Sequence, residues 1–234
     1  MNNNLLQIKI KQRLNKLASL DYDNIECWQI QEAFNKAQLQ WTRRQIYGIN
    51  QRKEGAEESS GLIDDLQRLM LHQKLIPEDK GIYWQVSLPT NYLHYVRTDV
   101  FGQSECCPEK RMMVYEVEEA NISVILDSKD KQPNFEWGET VATRINNKLR
   151  VYTNDKFDIS QLYLIYFRKP LPIKIAGCID LDTGFTIQAS DEQECEYNED
   201  VVEIIVDEAA QILAGDIESI TQFQREQQNV QTNS

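Results

Sequence analysis

Apolar residues recur at steps of three and four along the last part of the chain, from Asn198 to Gln228. This period predicts one long amphipathic helix. The positions that follow these steps, most of them apolar, are Val202, Ile205, Val206, Ala209, Leu213, Ile217, Ile220 and Gln224. Asn198 is suited to cap the helix, because its side-chain oxygen can accept from free backbone N–H groups. Glutamines replace the apolar residues near the end, so we expect the first half to pack within the protein and the second half to leave its domain.

The first eighty residues also have helical periods. Leu5 to Leu20 predicts a basic amphipathic helix, and Ile25 to Tyr47 predicts a longer helix with bulky apolar positions. The polar stretch near 49–61 is expected to be a flexible loop. A further helix is predicted from Leu62 to about Leu75, before Pro77.

From Gly81 the apolar pattern changes to a period of two, which is typical of half-buried strands. Asn146 and Asn147 tolerate the positive φ of a type I′ turn, which predicts a hairpin around them. The pattern of residues 120–127 fits either a helix or a strand. The predicted strands cover residues 82–88, 111–118, 140–145, 148–153 and 162–167, and residues 92–101 are either a further strand or a short helix leading into one.

Together these elements predict an α+β protein, with an antiparallel β domain flanked by N-terminal helices and a long C-terminal helix. The chain has 234 residues, of which 41% are hydrophobic, so it can bury a sizeable core. We expect three segments: a helical arm at 1–80, a β-rich domain at 81–197, and the amphipathic helix with its glutamine-rich tail at 198–234.

Negative charge is concentrated at the C-terminal end. The net charge is −12, and residues 181–234 hold thirteen Asp and Glu against one basic residue, Arg225. Such a segment is either a solvated helix face, a dock for a basic partner, or a surface along which nucleic acid passes without sticking, since it repels phosphate. The candidate acidic residues of this channel or partner face are Glu199, Asp200, Glu203, Asp207 and Glu208.

Familiar catalytic and ligand-binding patterns are missing from the sequence. There is no GxSxG motif and no glycine-rich phosphate loop, and neither His72 nor His94 has an adjacent serine or cysteine. The five cysteines form no CxxC pair, and residues 180–184 lack the regular ligand spacing of a Ca²⁺ loop. We therefore expect no enzymatic activity, no cofactor and no metal.

Two further features of the sequence concern where in the cell the protein is expected. No run of about eighteen apolar residues occurs, so we expect neither a transmembrane helix nor a membrane partner. The N-terminus lacks a basic stretch followed by an apolar core, so we expect no secretory signal. The cysteines are accordingly expected to be reduced, as in a cytosolic compartment.

Aromatic and arginine side chains on the predicted elements are candidates for subunit contacts. Trp28 and Trp41 fit either core packing or an interface anchor, because Trp and Arg are enriched at interface hot spots. The full set of candidate interface residues is Trp28, Phe34, Trp41, Arg43, Arg44, Arg168, Ile217, Ile220 and Phe223.

Three blocks of sequence, in their order along the chain, resemble those of a known class of proteins. They are the helical block WQIQEAFNKAQLQWTRRQ at 28–45, the strand end YLIYFRKP at 163–170, and the helix VVEIIVDEAA at 201–210 with its glutamine-rich tail. In this order the chain resembles ring or adaptor proteins of the head-to-tail connector of tailed bacteriophages, most of all those of crAss-like phages. The resemblance spans most of the chain.

This resemblance implies a structural protein of the virion, assembled in the host bacterial cytoplasm. It implies a cyclic homo-oligomer of twelve copies that links the portal to the tail and contacts the portal and other neck or tail rings. Double-stranded DNA would pass through the ring without specific binding. The alternatives are another virion part, such as a tail-hub or cargo protein, and a non-enzymatic, acidic intracellular binding module.

Overall fold

The structure, a computed structural model, describes residues 1–15, 25–47, 65–104, 107–181 and 183–216. It contains the helices α1 (Asn3–Asn15), α2 (Cys27–Tyr47), α3 (Ile122–Asp127) and α4 (Glu199–Asp216). Its strands are β1 (Met70–Leu75), β2 (Glu78–Asp79), β3 (Tyr83–Ser87), β4 (Tyr92–Ser104), β5 (Cys107–Glu116), β6 (Glu139–Ile145), β7 (Lys148–Tyr152) and β8 (Asp158–Arg168). These elements confirm the predicted α+β class.

The chain forms two compact units. The first, the helical unit, combines residues 1–68 with 170–234, and the second, the β unit, comprises residues 69–169. The β unit is therefore inserted between the two chain segments that build the helical unit. Residues 170–197, which the sequence pattern groups with the strands, belong to the helical unit.

The eight strands found in the described residues form one sheet, in the order β1-β8-β4-β5-β6-β7-β3-β2. Its pairs are antiparallel apart from β5 and β6, which run parallel. The two edge strands are consecutive in sequence, with only Ile76 and Pro77 between them. Three peptide steps span at most about 11 Å, whereas the edges of a flat eight-stranded sheet would lie roughly 34 Å apart. The sheet must therefore curl until its two edges approach each other.

Alternate residues of β8 form the centre of the β-unit core. Leu162, Leu164 and Tyr166 are fully buried there, as the period of a strand requires for one face of a sheet. The buried Tyr166 hydroxyl lies 2.9 Å from Asn91 Oδ1 and 3.0 Å from Gln73 Oε1. The one polar group of this side chain is therefore hydrogen-bonded, as buried polar groups generally must be.

The predicted hairpin around Asn146 and Asn147 is confirmed. The φ angles of these residues are 49° and 59°, as a type I′ turn requires. Ile145 pairs directly with Lys148, so the two-residue turn joins β6 to β7 without a bulge.

The predicted helices are confirmed in the stretches that the structure describes, with one correction. The helix expected at residues 62–75 is wrong over Met70–Leu75, which forms β1. This stretch pairs with the apolar strand β8, from Met70↔Phe167 to Leu75↔Leu162. Such pairing overrides helical propensity, because strand formation depends mainly on tertiary context.

The remaining expectations concern connections. Residues 120–127, open between helix and strand, form a 3₁₀ turn followed by α3. The loop near 49–61, the end of the first helix at 16–20 and the helix beyond residue 216 lie outside the described residues.

Candidate subunit interface

Helix α1 is joined to α4 by ion pairs. Arg13 Nε lies 2.6 Å from Asp207 Oδ1, and Arg13 Nη2 lies 3.4 Å from Glu203 Oε2. Lys9 also pairs with Glu203. Later positions of α1 therefore meet later positions of α4, so the two helices run in the same direction.

Helix α2 is joined to α4 by a more deeply buried pair. Arg44 Nη1 lies 2.7 Å from Glu208 Oε1. Glu208 is only 3% exposed, and its Oε2 has no hydrogen-bond partner among the described residues. Burial raises the pKa of the Glu208 carboxyl above its ordinary value, and the Arg44 guanidinium offsets part of that rise. This carboxylate therefore depends strongly on Arg44 for compensation.

The five acidic candidates divide into two groups. Glu203, Asp207 and Glu208 hold helices together inside the unit. Glu199 and Asp200 are exposed in the first turn of α4, and Glu199 Oε1 lies 3.6 Å from the N-terminal amine. Of these five carboxylates, only the first-turn pair is well placed to meet nucleic acid or a basic partner.

Phe34 and Trp41 are core residues of the helical unit. Phe34 is fully buried, and Trp41 is 3% exposed with its ring edge-on to Tyr197, at a centroid distance of 5.1 Å. Thr42 Oγ1 lies 2.5 Å from the Tyr197 hydroxyl. Side chains that are buried inside the helical unit cannot also anchor a second protein, so core packing is the interpretation that fits Trp41.

The other described candidate interface residues lie on α2 and at the end of β8. Arg43 is exposed on α2, Trp28 is half-buried near the start of the same helix, and Arg168 is half-buried at the end of β8 in the β unit. Arg44 is engaged with Glu208. The candidates that lie outside the described residues are Ile217, Ile220 and Phe223.

Residues 171–178 run along α2 toward its N-terminal end. Lys174 forms an antiparallel bridge with Gln193. Other backbone groups of the run are held by amide side chains of α2, because backbone groups without a strand partner must find other hydrogen-bond partners. The bonds are Gln38 Nε2 to the Leu171 carbonyl at 3.0 Å, Ile173 N–H to Asn35 Oδ1 at 2.8 Å, and Ile175 N–H to Gln31 Oε1 at 3.0 Å.

A disulfide joins Cys178, at the end of this run, to Cys27, the first residue of α2. The Cα atoms are 5.6 Å apart, within the ordinary range for a disulfide. In the structure this pair is oxidised, which differs from the expectation that the cysteines are reduced. Spacing could not reveal it, since the two residues are separated by 151 positions.

After Cys178 the chain turns back in a hairpin, which we call the apolar hairpin; its described residues are 177–181 and 183–187. The hairpin is held by its own backbone and by an ion pair at its root, where Lys174 Nζ lies 3.0 Å from Asp180 Oδ2. The bonds between its arms include Asp180 N–H to the Phe185 carbonyl at 2.9 Å and Ile187 N–H to the Cys178 carbonyl at 2.8 Å.

Large apolar side chains of this hairpin face solvent. Ile179, Leu181 and Phe185 are 48%, 54% and 77% exposed. Burying a side chain of this size is worth roughly 1.5–3 kcal/mol, and exposed apolar surface on an ordered loop often marks an interaction site. Sequence reasoning missed these residues; the available signal was three bulky apolar residues around an Asp-Thr-Gly turn.

A cleft lies between α2 and α4 in the same unit. Trp28 is half-buried in its wall, and Glu32 and Lys36 are exposed. Cys27 begins α2, so the cleft and the root of the apolar hairpin share the N-terminal end of that helix. We call this region the apolar end of the helical unit. The residues that line the cleft are Ile25, Trp28, Gln29, Glu32, Ala33, Lys36, Ile212 and Leu213.

The described residues contain neither a cluster of metal ligands nor a membrane-spanning helix. They contain no group of three or more side chains that could hold a metal ion. None of the described helices is both long and apolar enough to cross a membrane. His72 lies against the ring of Tyr163, with centroids 5.0 Å apart, and His94 lies against Phe167 at 6.5 Å.

The apolar end is thus the strongest candidate site in the helical unit, since it combines exposed apolar side chains with a lined cleft. Its geometry suits contact with another protein surface. No known family matches the sequence, and no curated protein is similar to it.

Proposed function

We propose that this chain is a structural protein of a tailed bacteriophage that forms a ring in the head-to-tail connector, links the portal to the tail and surrounds the DNA exit channel. The observation that carries this proposal is the apolar hairpin, with Ile179, Leu181 and Phe185 held open to solvent. A subunit of an assembly buries such side chains against its neighbour. The order of the three sequence blocks supports the same proposal.

A closed ring repeats one heterologous interface, so each subunit needs two different patches. The helical unit offers two candidates. One is the apolar hairpin, with Phe185 as its most exposed side chain, and the other is the cleft with Trp28 in its wall. A ring in which the hairpin of each copy enters the cleft of the next would satisfy this requirement.

The acidic first turn of α4 fits a channel for DNA. Double-stranded DNA carries about one negative charge per 1.7 Å, so Glu199 and Asp200 would repel it and limit sticking. Glu203 and Asp207 are neutralised by Arg13 and Lys9, so they contribute little to such a lining.

The mass of the assembled full-length chain tests the proposal. We expect native mass spectrometry to give one discrete ring of twelve subunits, which binds the portal and has a central channel in electron micrographs. A variant with Leu181→Asp and Phe185→Asp should give monomers with an unchanged circular dichroism spectrum. The matched control is Ile76→Asp, which changes an 88% exposed side chain of the β unit and should leave the ring intact.

Other outcomes are equally informative. A wild-type chain that stays monomeric or dimeric would contradict the ring and favour an acidic binding module. A discrete assembly that binds tail-hub proteins but not the portal would favour another part of the virion. A ring that survives in the hairpin variant, or is lost equally in the control, would contradict the role of the apolar hairpin.

A further inference from the structure

We infer that the disulfide between Cys27 and Cys178 is a redox lock on the apolar hairpin. The two cysteines are reduced while the subunit folds and assembles in a reducing compartment. They form the disulfide when the particle reaches an oxidising compartment. This inference rests on the proposed function of the hairpin as a subunit contact, and it adds a means of regulating that contact.

The disulfide ties together the two chain segments that build the helical unit. Cys27 lies in the segment before the β unit and Cys178 in the segment after it, 151 positions later. A cross-link between residues this far apart removes much conformational freedom from the unfolded chain, and the effect grows with the enclosed loop. Closing the lock therefore stabilises the association of the two segments.

Cys178 is also the root of the apolar hairpin. Its carbonyl accepts the Ile187 N–H at 2.8 Å, and its own N–H donates to the Ile175 carbonyl at 3.2 Å. The bond to Cys27 thus fixes the residue from which the hairpin extends. Without that bond the root is held by non-covalent contacts, and such loops open at low free-energy cost.

Glutathione disulfide is a sufficient oxidant for closure. The Cys27 thiolate attacks one sulfur of glutathione disulfide, forms a mixed disulfide and releases one glutathione thiolate, which takes up a proton. The Cys178 thiolate then displaces the second glutathione. Two protein thiols lose two electrons and two protons, and one glutathione disulfide becomes two glutathione molecules. Cys27 is half-buried and Cys178 is almost fully buried, so exchange with glutathione begins at Cys27.

Amide hydrogen exchange of the full-length chain tests the lock. The protein is compared in reduced glutathione and in glutathione disulfide, and the amides of Gly177, Asp180 and Ile187 are followed, since each donates within the hairpin. We expect exchange to be about tenfold faster in the reduced protein. The thermal midpoint should fall by roughly 10 °C on reduction.

Two serine variants complete the test. Cys178→Ser should behave like the reduced protein in both buffers. Cys107→Ser removes an exposed cysteine outside the pair and should keep the full redox response. Equal exchange and equal midpoints in the two buffers would overturn the lock, whether or not the wild type forms a ring. Redox-dependent exchange in a chain that forms no ring would support the lock while contradicting the proposed function.

Discussion

Arg44 Nη1 lies 2.7 Å from Glu208 Oε1, and this pair joins α2 to α4 where the carboxyl is almost fully buried. Removing the cation leaves a buried carboxylate without compensation, which costs about 3–5 kcal/mol. We expect Arg44→Met to lower the free energy of unfolding by about that amount, measured by urea denaturation.

The adjacent arginine is a matched control for this prediction. Arg43 is exposed and has no ion pair among the described residues. Arg43→Met should therefore change the free energy of unfolding by no more than about 0.5 kcal/mol. Equal losses in both variants would mean that net charge, and not the buried pair, determines the effect.

Glu208 should also make stability depend on pH. Its pKa is raised by burial in the folded protein, so the folded state retains a proton that the unfolded state has released. Its contribution is fully present below the ordinary glutamate pKa of about 4.3 and is lost as the pH rises through the raised folded value. Glu208→Gln cannot ionise. The stability of the wild type relative to this variant should therefore fall as the pH rises above the ordinary glutamate pKa, and a constant difference would count against the prediction.

Replacing Trp41 should lower the stability of the folded protein and leave its assembly unchanged. Its ring packs edge-on against Tyr197 inside the helical unit, and removing a buried aromatic side chain costs about 3–5 kcal/mol. Trp41→Ala should unfold at lower urea concentration but keep its assembly mass while folded. Trp28→Ala, in the wall of the cleft, should cost less stability and weaken the proposed ring. A stable Trp41→Ala monomer would instead identify Trp41 as an interface anchor.

Substitutions of Asn147 should show that the β6–β7 turn requires a residue that tolerates a positive φ. Its φ of 59° is unfavourable for residues with an ordinary side chain. We expect Asn147→Ala to lower the free energy of unfolding by about 1–2 kcal/mol, whereas Asn147→Gly should be neutral or stabilising. Calorimetric midpoints of the two variants test this, and identical midpoints would contradict a type I′ turn.

Features that depend on neighbouring residues could be predicted from the sequence. The hairpin at Asn146 and Asn147 depends on two residues, and α2 depends on apolar spacing within its own turns. The position at which α4 begins could also be predicted, since the helix starts at Glu199, directly after Asn198. Each of these signals is complete within a few positions of the chain, so no tertiary information was needed.

Features that depend on distant residues could not be predicted from the sequence. Met70–Leu75 is a strand because it pairs with β8, about ninety positions later, and nothing within the segment indicates that partner. The acidic residues of α4 suggest a solvated face until Arg13, 194 positions from Asp207, is placed beside them. Net charge counts these carboxylates, but it cannot tell which are neutralised.

The apolar hairpin was missed for a related reason. In sequence, Ile179, Leu181 and Phe185 are indistinguishable from core residues, because composition records hydrophobicity and not exposure. The structure exposes them because residues 171–178 follow α2 to its end and turn back there. The candidate site therefore depends on where the chain reverses, which no local pattern specifies.

The insertion of the β unit has a consequence for synthesis on the ribosome. Roughly 150 residues separate the end of α2 from the start of α4, so at typical translation rates α2 emerges roughly 8–30 s before its packing partner. During this interval Arg44 lacks its ion-pair partner Glu208, and the side of α2 that carries Phe34 is not yet packed against α4. The nascent β unit can fold in that time, so the emergence of α4 sets the earliest moment at which the helical unit is complete.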